Sequence, residues 1–225
     1  MANVDCAIVV TACIEPDFSS NLLDRQLVML SENEIVPILY FSKADLMDET
    51  TKERMLPVFD YYSKYYRTVV SEKNMADEEL VSALLEEAGN VLVVMGQTGA
   101  GKSTLLNRLD PKLKLETGEI SKALSRGRHT TRKVSLMDVK GHLIADTPGF
   151  SSFELREIEK ERLSSLFEDF NEYSPQCRFR GCLHLNEPDC AVKAAVLEGK
   201  ILESRYENYK LFQKMIQEQK PRYKR

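Results

Sequence analysis

The chain has 225 residues, with 31 Lys and Arg against 35 Asp and Glu and a formal net charge of −4, so it allows one large domain or one large and one small domain. No apolar run approaches the length of a membrane span and the N-terminus lacks a signal-peptide layout, so we expect a cytoplasmic protein that makes no membrane contact. Residues 122–133 are basic without an acid, and residues 171–225 hold 11 Lys and Arg against 7 Asp and Glu, which predicts a polyanionic partner or, alternatively, an ordinary solvated face.

The N-terminal part of the chain alternates buried-strand and helix patterns. Cys6 and Cys13 lie in its first apolar run, so we expect them to be buried thiols. The helix expected over residues 46–66 is predicted to be broken or entered at Pro57. The other elements predicted by periodicity are strands at residues 5–14, 35–41 and 67–70 and amphipathic helices at residues 21–33 and 76–87.

A tetrad, Ser42-Lys43-Ala44-Asp45, directly follows the second predicted strand. In GTPases a [N/T/S]-K-x-D tetrad stands at this place: the aspartate accepts hydrogen bonds from the guanine ring N–H and amine, and the lysine stem lies over the base. Adenine lacks that donor pair, so a site built this way discriminates against ATP. The tetrad by itself is a weak signal, because a strand followed by Lys and Asp is often just the start of a helix, and it becomes a strong one when a P-loop accompanies it.

A second element of this kind, Ser71-Glu72-Lys73, follows the short strand predicted at residues 67–70. Its position suits the S-A-K element that closes over guanine and reads the base oxygen through a backbone N–H. Glu72 stands where that element has alanine.

The central motif is Gly96-Gln97-Thr98-Gly99-Ala100-Gly101-Lys102-Ser103, which fits G-x-x-x-x-G-K-[ST] between a predicted strand at residues 91–95 and a helix continuing through Thr104. Its glycines let backbone N–H groups converge on phosphate oxygens, and the helix start adds partial positive charge. Lys102 is expected to reach the β- and γ-phosphates and Ser103 to ligate Mg²⁺. The alternative is a glycine-rich turn that binds nothing.

The segment after the P-loop helix is long, basic and without periodicity over residues 113–133. Thr130 and Thr131 are both candidates to complete the Mg²⁺ shell, and the sequence does not choose between them. A hairpin is predicted from residues 134–139 and 142–145.

The hairpin leads into Asp146-Thr147-Pro148-Gly149, a D-x-x-G element. Asp146 is expected to hold Mg²⁺ through water, and the Gly149 N–H to touch the γ-phosphate. Phe150 follows, where many GTPases place a water-orienting glutamine, and it cannot orient water. His129 in the basic loop is therefore our candidate for a catalytic residue, with plain solvent exposure or a partner contact as the alternative.

The C-terminal region contains a cysteine–histidine cluster. Cys177, Cys182, His184 and Cys190 offer three thiolates and one imidazole within 14 residues. Soft sulfur and nitrogen donors suit Zn²⁺, and four protein ligands leave no open position, so we predict one structural zinc ion. The alternative is three unlinked thiols and a surface histidine. The last helix is predicted within residues 200–225, which end in a basic tail.

The order of these motifs is unusual, because the guanine-reading elements precede the P-loop, the switch threonine and the D-x-x-G element. The predicted fold class is therefore α/β, a circularly permuted P-loop GTPase fold, which is feasible because chain termini often lie close together. We predict a GTPase domain at residues 1–160 and a small, mainly helical zinc-binding domain at residues 161–225.

The permuted order, GQTGAGKST, GRHTTR, DTPGF and C-x4-C-x-H-x5-C together resemble the ribosome small subunit-dependent GTPase A (RsgA) family over essentially the whole chain. The resemblance implies a cytoplasmic bacterial GTPase, expected as a monomer, that acts late in small-subunit assembly, with GTP or GDP, the small ribosomal subunit and its rRNA as partners. Hydrolysis would be stimulated by the subunit. The family carries an N-terminal RNA-binding OB-fold, and this chain begins where that domain would end. The alternatives are a nucleotide-gated RNA- or protein-binding switch with incidental hydrolysis, or an ATPase, against which Asp45 argues.

Overall fold

The computed structural model describes residues 4–115, 135–146, 155 and 158–218. Its strands are β1 (Cys6–Ala12), β2 (Val36–Ser42), β3 (Arg67–Val70), β4 (Val91–Met95), β5 (Ser135–Val139) and β6 (His142–Asp146). The α-helices in these ranges are α1 (Ser20–Glu32), α2 (Glu49–Ser63), α3 (Asp77–Leu85), α4 (Lys102–Leu109), α5 (Phe170–Tyr173), α6 (Ala191–Leu197) and α7 (Glu203–Gln217). Short 3₁₀ turns cover Ala44–Leu46, Leu163–Leu166 and Ser174–Gln176.

The strands form one six-stranded sheet in the order β3-β2-β1-β4-β6-β5. Every neighbouring pair is parallel except β5 and β6, which form the predicted antiparallel hairpin. Parallel strands need both faces covered, and the continuous apolar runs of β1 and β4 meet that need because nearly all their residues are buried. The predicted strands and the buried thiols Cys6 and Cys13 are confirmed.

The interruption predicted at Pro57 is wrong. Helix α2 runs through this residue, because it begins upstream where the Asp48 carboxylate accepts the Thr51 N–H at 2.8 Å. Pro57 lies on the exposed side, where water can satisfy the carbonyl that loses its helical partner. Met55 and Phe59 hold the opposite side in the core.

The chain divides into two compact units. The first comprises residues 1–18 and 35–152, and its core packs α3 and α4 against one face of the sheet. The second comprises residues 19–34 and 153–225, so α1, which lies in sequence between β1 and β2, belongs with the C-terminal helices. The predicted domain boundary at residue 160 stays a prediction, and the division into compact units follows a different line because of α1.

Aromatic side chains form much of the core of the second unit. Phe167 and Phe170 lie 5.0 Å apart between ring centroids, and Tyr209 meets each of them edge-on. Phe212 on α7 is fully buried beside them. In the part of the chain that the structure describes, no helix has the length and apolar character needed to cross a bilayer.

Candidate nucleotide site and metal centre

The P-loop connects the end of β4 to the start of α4. Gly96 has φ of 145°, and a Cβ at this position would lie 2.1 Å from the carbonyl oxygen of Val10 on the neighbouring strand β1. Only glycine therefore fits at the first position of the loop. Gly101, with φ of 91°, turns the chain into α4 without a side-chain cap. The N–H groups at the start of α4 are thereby left to an external acceptor such as a phosphate oxygen.

The two ligand-binding side chains predicted on this helix lie at its first turn. The Lys102 ammonium donates to the carbonyl oxygens of Gly96 and Gln97 at 2.7 and 2.8 Å, so it lies over the loop in this structure. Ser103 is buried, whereas Thr98 and Thr104 are exposed.

The tetrad after β2 is hydrogen-bonded directly to the P-loop. The Ser42 hydroxyl donates to the Ala100 carbonyl oxygen at 2.6 Å and is also 3.4 Å from the Thr11 carbonyl oxygen. These residues are 58 positions apart in sequence, and they meet because β2, β1 and β4 are parallel and end at the same edge of the sheet. The motifs predicted to read guanine and to bind phosphate therefore lie at one edge of the sheet.

The serine after β3 joins the same arrangement. The Ser71 hydroxyl accepts the Ala44 N–H at 2.9 Å and lies 3.5 Å from the Asp45 carboxylate oxygen, to which it donates. Ser71 is buried, and Asp45, Glu72 and Lys73 are exposed. One hydroxyl thus orients both the backbone and the carboxylate of the tetrad.

The sequence analysis missed the loop that follows β1. Lys43 has a left-handed backbone, with φ of 60°, and its ammonium donates to the Glu15 carbonyl oxygen. A Cβ at Gly99 would lie 3.6 Å from Pro16, so this loop also borders the P-loop. The topology could have predicted this contact, because ligands of parallel α/β sheets bind at the carboxyl ends of the strands and this loop follows the carboxyl end of the central strand β1.

Five predicted site residues fall in regions that the description does not reach. His129, Thr130, Thr131 and Gly149 lie outside the described residues, and only the backbone of Asp146 is described. That backbone ends β6 opposite Val94 of β4, which places it beside the strand that leads into the P-loop.

The second unit contains the predicted metal-ligand cluster. The ligand atoms of Cys177, Cys182, His184 and Cys190 all lie within 4.8 Å of one another. The His184 Nδ1 is 3.3 Å from the Cys190 Sγ and 3.6 Å from the Cys177 Sγ, and the two sulfurs are 3.9 Å apart. The five cysteines of the chain are free, so no disulfide competes for these thiols.

Burial shifts the pKa values of the cluster in opposite directions for its thiols and its imidazole. It raises the pKa of Cys182 to about 12 and raises the pKa of Cys190, because a buried thiolate loses its hydration. It lowers the pKa of His184 for the same reason, which favours the neutral imidazole that can ligate a cation. A bound cation would supply the positive charge that these three thiolates need, of which Cys182 and Cys190 are buried and Cys177 is half-buried.

Neighbouring side chains hold the segment that carries the histidine. The Glu187 carboxylate accepts the N–H groups of Leu183 and Leu185 at 2.8 and 2.9 Å. The Tyr206 hydroxyl donates to the His184 carbonyl oxygen at 2.6 Å, and the Tyr209 hydroxyl donates to that of Leu183 at the same distance. The imidazole is thereby oriented by its backbone, which supports a preformed metal site.

The parallel sheet and the motifs at its carboxyl edge define the class of protein. It is a P-loop GTPase whose motifs follow one another in a circularly permuted order. The RsgA GTPase family model matches residues 1–156. The chain belongs to the RsgA GTPase family.

Relatives and solved structures extend this likeness to the whole chain. The chain is 53% identical to the small ribosomal subunit biogenesis GTPase RsgA of Limosilactobacillus reuteri, covering 100% of this chain and 76% of that protein. It is 49% identical to the protein of the same name from Bacillus cereus, covering 99% and 76%. Among solved structures it is similar to YloQ, described as a circularly permuted GTPase, with a TM-score of 0.79, 38% identity and coverage of 98% and 71%. YjeQ from Thermotoga maritima gives a TM-score of 0.81, 33% identity and coverage of 97% and 73%.

Proposed function

We propose that this chain hydrolyses GTP in the cytoplasm as a biogenesis factor of the small ribosomal subunit, the role that the names of its relatives state. The observation that supports GTP as substrate best is the 2.6 Å hydrogen bond from Ser42 to the Ala100 carbonyl oxygen. It joins a guanine-type tetrad to a P-loop at one edge of the sheet. A phosphate-binding loop alone would serve any nucleotide, whereas this pair selects one base.

In this proposal Asp45 reads the guanine base. Its carboxylate accepts the ring N–H and the exocyclic amine, and the Ser71 hydroxyl holds it in place from 3.5 Å. The Lys43 stem lies along the base while its ammonium is anchored on the Glu15 carbonyl oxygen. Backbone N–H groups of Ser71-Glu72-Lys73 close over the base oxygen.

The P-loop and the start of α4 bind the phosphates. The uncapped N–H groups of α4 and the Lys102 ammonium provide positive charge for the β- and γ-phosphates. Ser103, Asp146 and one of Thr130 and Thr131 would hold Mg²⁺, which when bound neutralises charge on the phosphate oxygens. His129 stays the candidate for the group that assists hydrolysis.

The metal centre is proposed to hold one structural zinc ion. Tetrahedral zinc with Zn–S bonds of about 2.3 Å and Zn–N bonds of about 2.0 Å places its sulfurs about 3.8 Å apart and sulfur about 3.5 Å from nitrogen. The observed separations of 3.9, 3.6 and 3.3 Å among Cys177, His184 and Cys190 are close to this geometry, and Cys182 lies within 4.8 Å of all three. Four protein ligands leave no position for a substrate, so the ion would stabilise the fold.

The proposal is tested by measuring phosphate release from GTP and ATP with and without purified bacterial small ribosomal subunits. We expect GTP hydrolysis to be slow alone and accelerated by the subunits, with ATP inactive in both conditions. Equal use of ATP would contradict the base-reading assignment. GTP hydrolysis that subunits do not change would favour a nucleotide-gated binding switch instead.

The base-reading role of Asp45 has a sharper test. Asp45→Asn removes an acceptor for the guanine amine and supplies an amide N–H, which matches the extra oxygen of xanthine. The asparagine oxygen still accepts the ring N–H, so one hydrogen bond to a charged acceptor is lost; at about 1.5–3 kcal/mol, its loss should weaken GTP binding by about 10- to 150-fold. Xanthosine triphosphate should bind better to the variant than to the wild type. Asp60→Asn, at an exposed carboxylate on α2, makes the same charge change and should leave the affinity for GTP and for xanthosine triphosphate unchanged.

A further inference from the structure

The four residues 178–181 form a short loop whose two flanking residues, Cys177 and Cys182, are both metal ligands in the proposed centre. All four loop residues are exposed. A loop this short that is fixed at both ends has few conformations, so whatever it presents to solvent is held in place.

This 178–181 loop exposes an aromatic ring between two arginines. Phe179 is 45% exposed, which is high for a side chain of this size. The Arg178 guanidinium lies 5.4 Å from the ring centroid and is anchored by the Asp189 carboxylate at 2.7 Å. Arg180, the next residue in sequence, makes no hydrogen bond or ion pair with any described residue.

The chemistry of the 178–181 loop favours a nucleic acid over a protein. A protein docking patch needs contiguous apolar surface, whereas Phe179 is flanked in sequence by two exposed arginines and followed by the exposed Gly181. An exposed aromatic face accepts any nucleobase by stacking, and flanking arginines contact the phosphates on either side. A base in a duplex has both faces covered by its neighbours, so the ring can stack only on an unpaired base.

We propose that the 178–181 loop is an RNA-binding site in which Phe179 stacks on an unpaired base and Arg178 and Arg180 contact the adjacent phosphates. This deepens the proposed function, on which it rests, by naming the chemistry of one contact to RNA. The metal centre acts here by holding the loop, and Phe179 and its two flanking arginines contact the RNA.

The test uses the full chain and a fluorescein-labelled RNA hairpin with an unpaired adenosine loop, beside a blunt duplex of the same stem. Phe179→Ala should weaken hairpin binding by about 5- to 150-fold, the range of one stacked base, and leave duplex binding unchanged. Phe179→Trp should restore hairpin binding, and Phe179→Leu should not, because only tryptophan keeps a stacking face. Leu211→Ala is the matched control, since Leu211 in the same unit is also 45% exposed.

Two further readouts separate this site from a general loss of structure. Zinc content and melting temperature should be the same in every variant, and ultraviolet cross-linking of the hairpin should map to the peptide that contains Phe179 in the wild type. Hairpin binding unchanged by Phe179→Ala, or a cross-link elsewhere, overturns the proposal. So does a Phe179→Ala variant that loses a cross-link to a ribosomal protein while keeping its RNA affinity.

The experiments distinguish failure of the RNA-binding proposal from failure of the proposed function. If subunits stimulate GTP hydrolysis in the wild type and equally in Phe179→Ala, with unchanged hairpin affinity, the RNA site is wrong and the function stands. If subunits do not stimulate the wild type but hairpin binding depends on Phe179, the function is wrong and the RNA site stands.

Discussion

Arg205 is the buried cation that joins α1 to the C-terminal helices. It is 1% exposed, and it lies between Asp24 of α1 and Asp169, both 0% exposed. Its guanidinium donates to Asp24 at 2.6 Å and to Asp169 at 2.7 and 2.8 Å, and its Cζ lies 4.8 Å from the Phe167 ring centroid. Asp24 also accepts a hydrogen bond from the Asn208 amide at 2.7 Å, and Arg205 is the cation that faces both buried carboxylates.

Arg205→Met keeps most of the side-chain volume and removes the charge. Both carboxylates then remain buried without that compensation, and loss of one partner of a buried ion pair costs about 3–5 kcal/mol. Whole domains are stable by only about 5–15 kcal/mol, so the loss is a large fraction of the total. Urea unfolding followed by circular dichroism measures it, and hydrogen exchange should show α1 losing protection.

Two matched variants test whether charge compensation is the cause. Lys214→Met removes a cation from the same helix. The Lys214 side chain is 71% exposed and its carboxylate partner is 3.8 Å away, so the variant should lose less than about 0.5 kcal/mol of stability. The triple variant Arg205→Met, Asp24→Leu and Asp169→Leu replaces the buried charges by apolar groups and should recover most of the lost stability. If Arg205→Met costs no more than Lys214→Met, or the triple variant is as unstable as the single one, the reasoning is refuted.

Three other predictions follow from the two sites. Ser42→Ala removes the donor to the Ala100 carbonyl oxygen and should weaken GTP and GDP binding equally, by about 5-fold for a hydrogen bond of about 1 kcal/mol; calorimetry showing a loss for only one nucleotide would contradict it. Gly96→Ala places a methyl group against the Val10 carbonyl oxygen and should lower the melting temperature far more than Gly141→Ala, which has positive φ and open space around it; similar losses would argue against the clash. Removing the metal with a chelator should lower the melting temperature, and stoichiometric Zn²⁺ should restore it; a melting temperature unchanged after complete metal loss would exclude a structural role.

The motifs were accessible from the sequence because each is a local pattern. The P-loop needs glycines at fixed offsets after a strand, and the metal cluster needs four soft ligands within a short segment. The strands could be predicted because parallel sheet strands are apolar on both faces and therefore read as continuous runs. The course of α2 through Pro57 was not accessible, since the exposure of its proline depends on how the helix packs on the sheet.

Arg205 shows what a one-dimensional pattern leaves out. The helix predicted within residues 200–225 buries Tyr209 and Phe212, and Arg205 stands one turn before Tyr209 on the same face. From the sequence alone, a charged residue at that spacing is expected at the solvent-exposed border of the apolar face. Only the approach of Asp24, which is 181 positions away in sequence, makes its burial possible.

The sequence alone determined the motifs of this protein and their permuted order. The motifs are a guanine-type tetrad, a P-loop and a group of cysteine and histidine residues suited to a soft metal ion. These depend on residue types at short spacing, which the linear chain displays directly. Tertiary structure alone decided that Ser42 bonds the P-loop, that the Glu15 loop anchors Lys43, and that α1 belongs with the C-terminal unit. Those contacts depend on which parallel strands are neighbours and which charges share a core, and both are set by packing between distant segments.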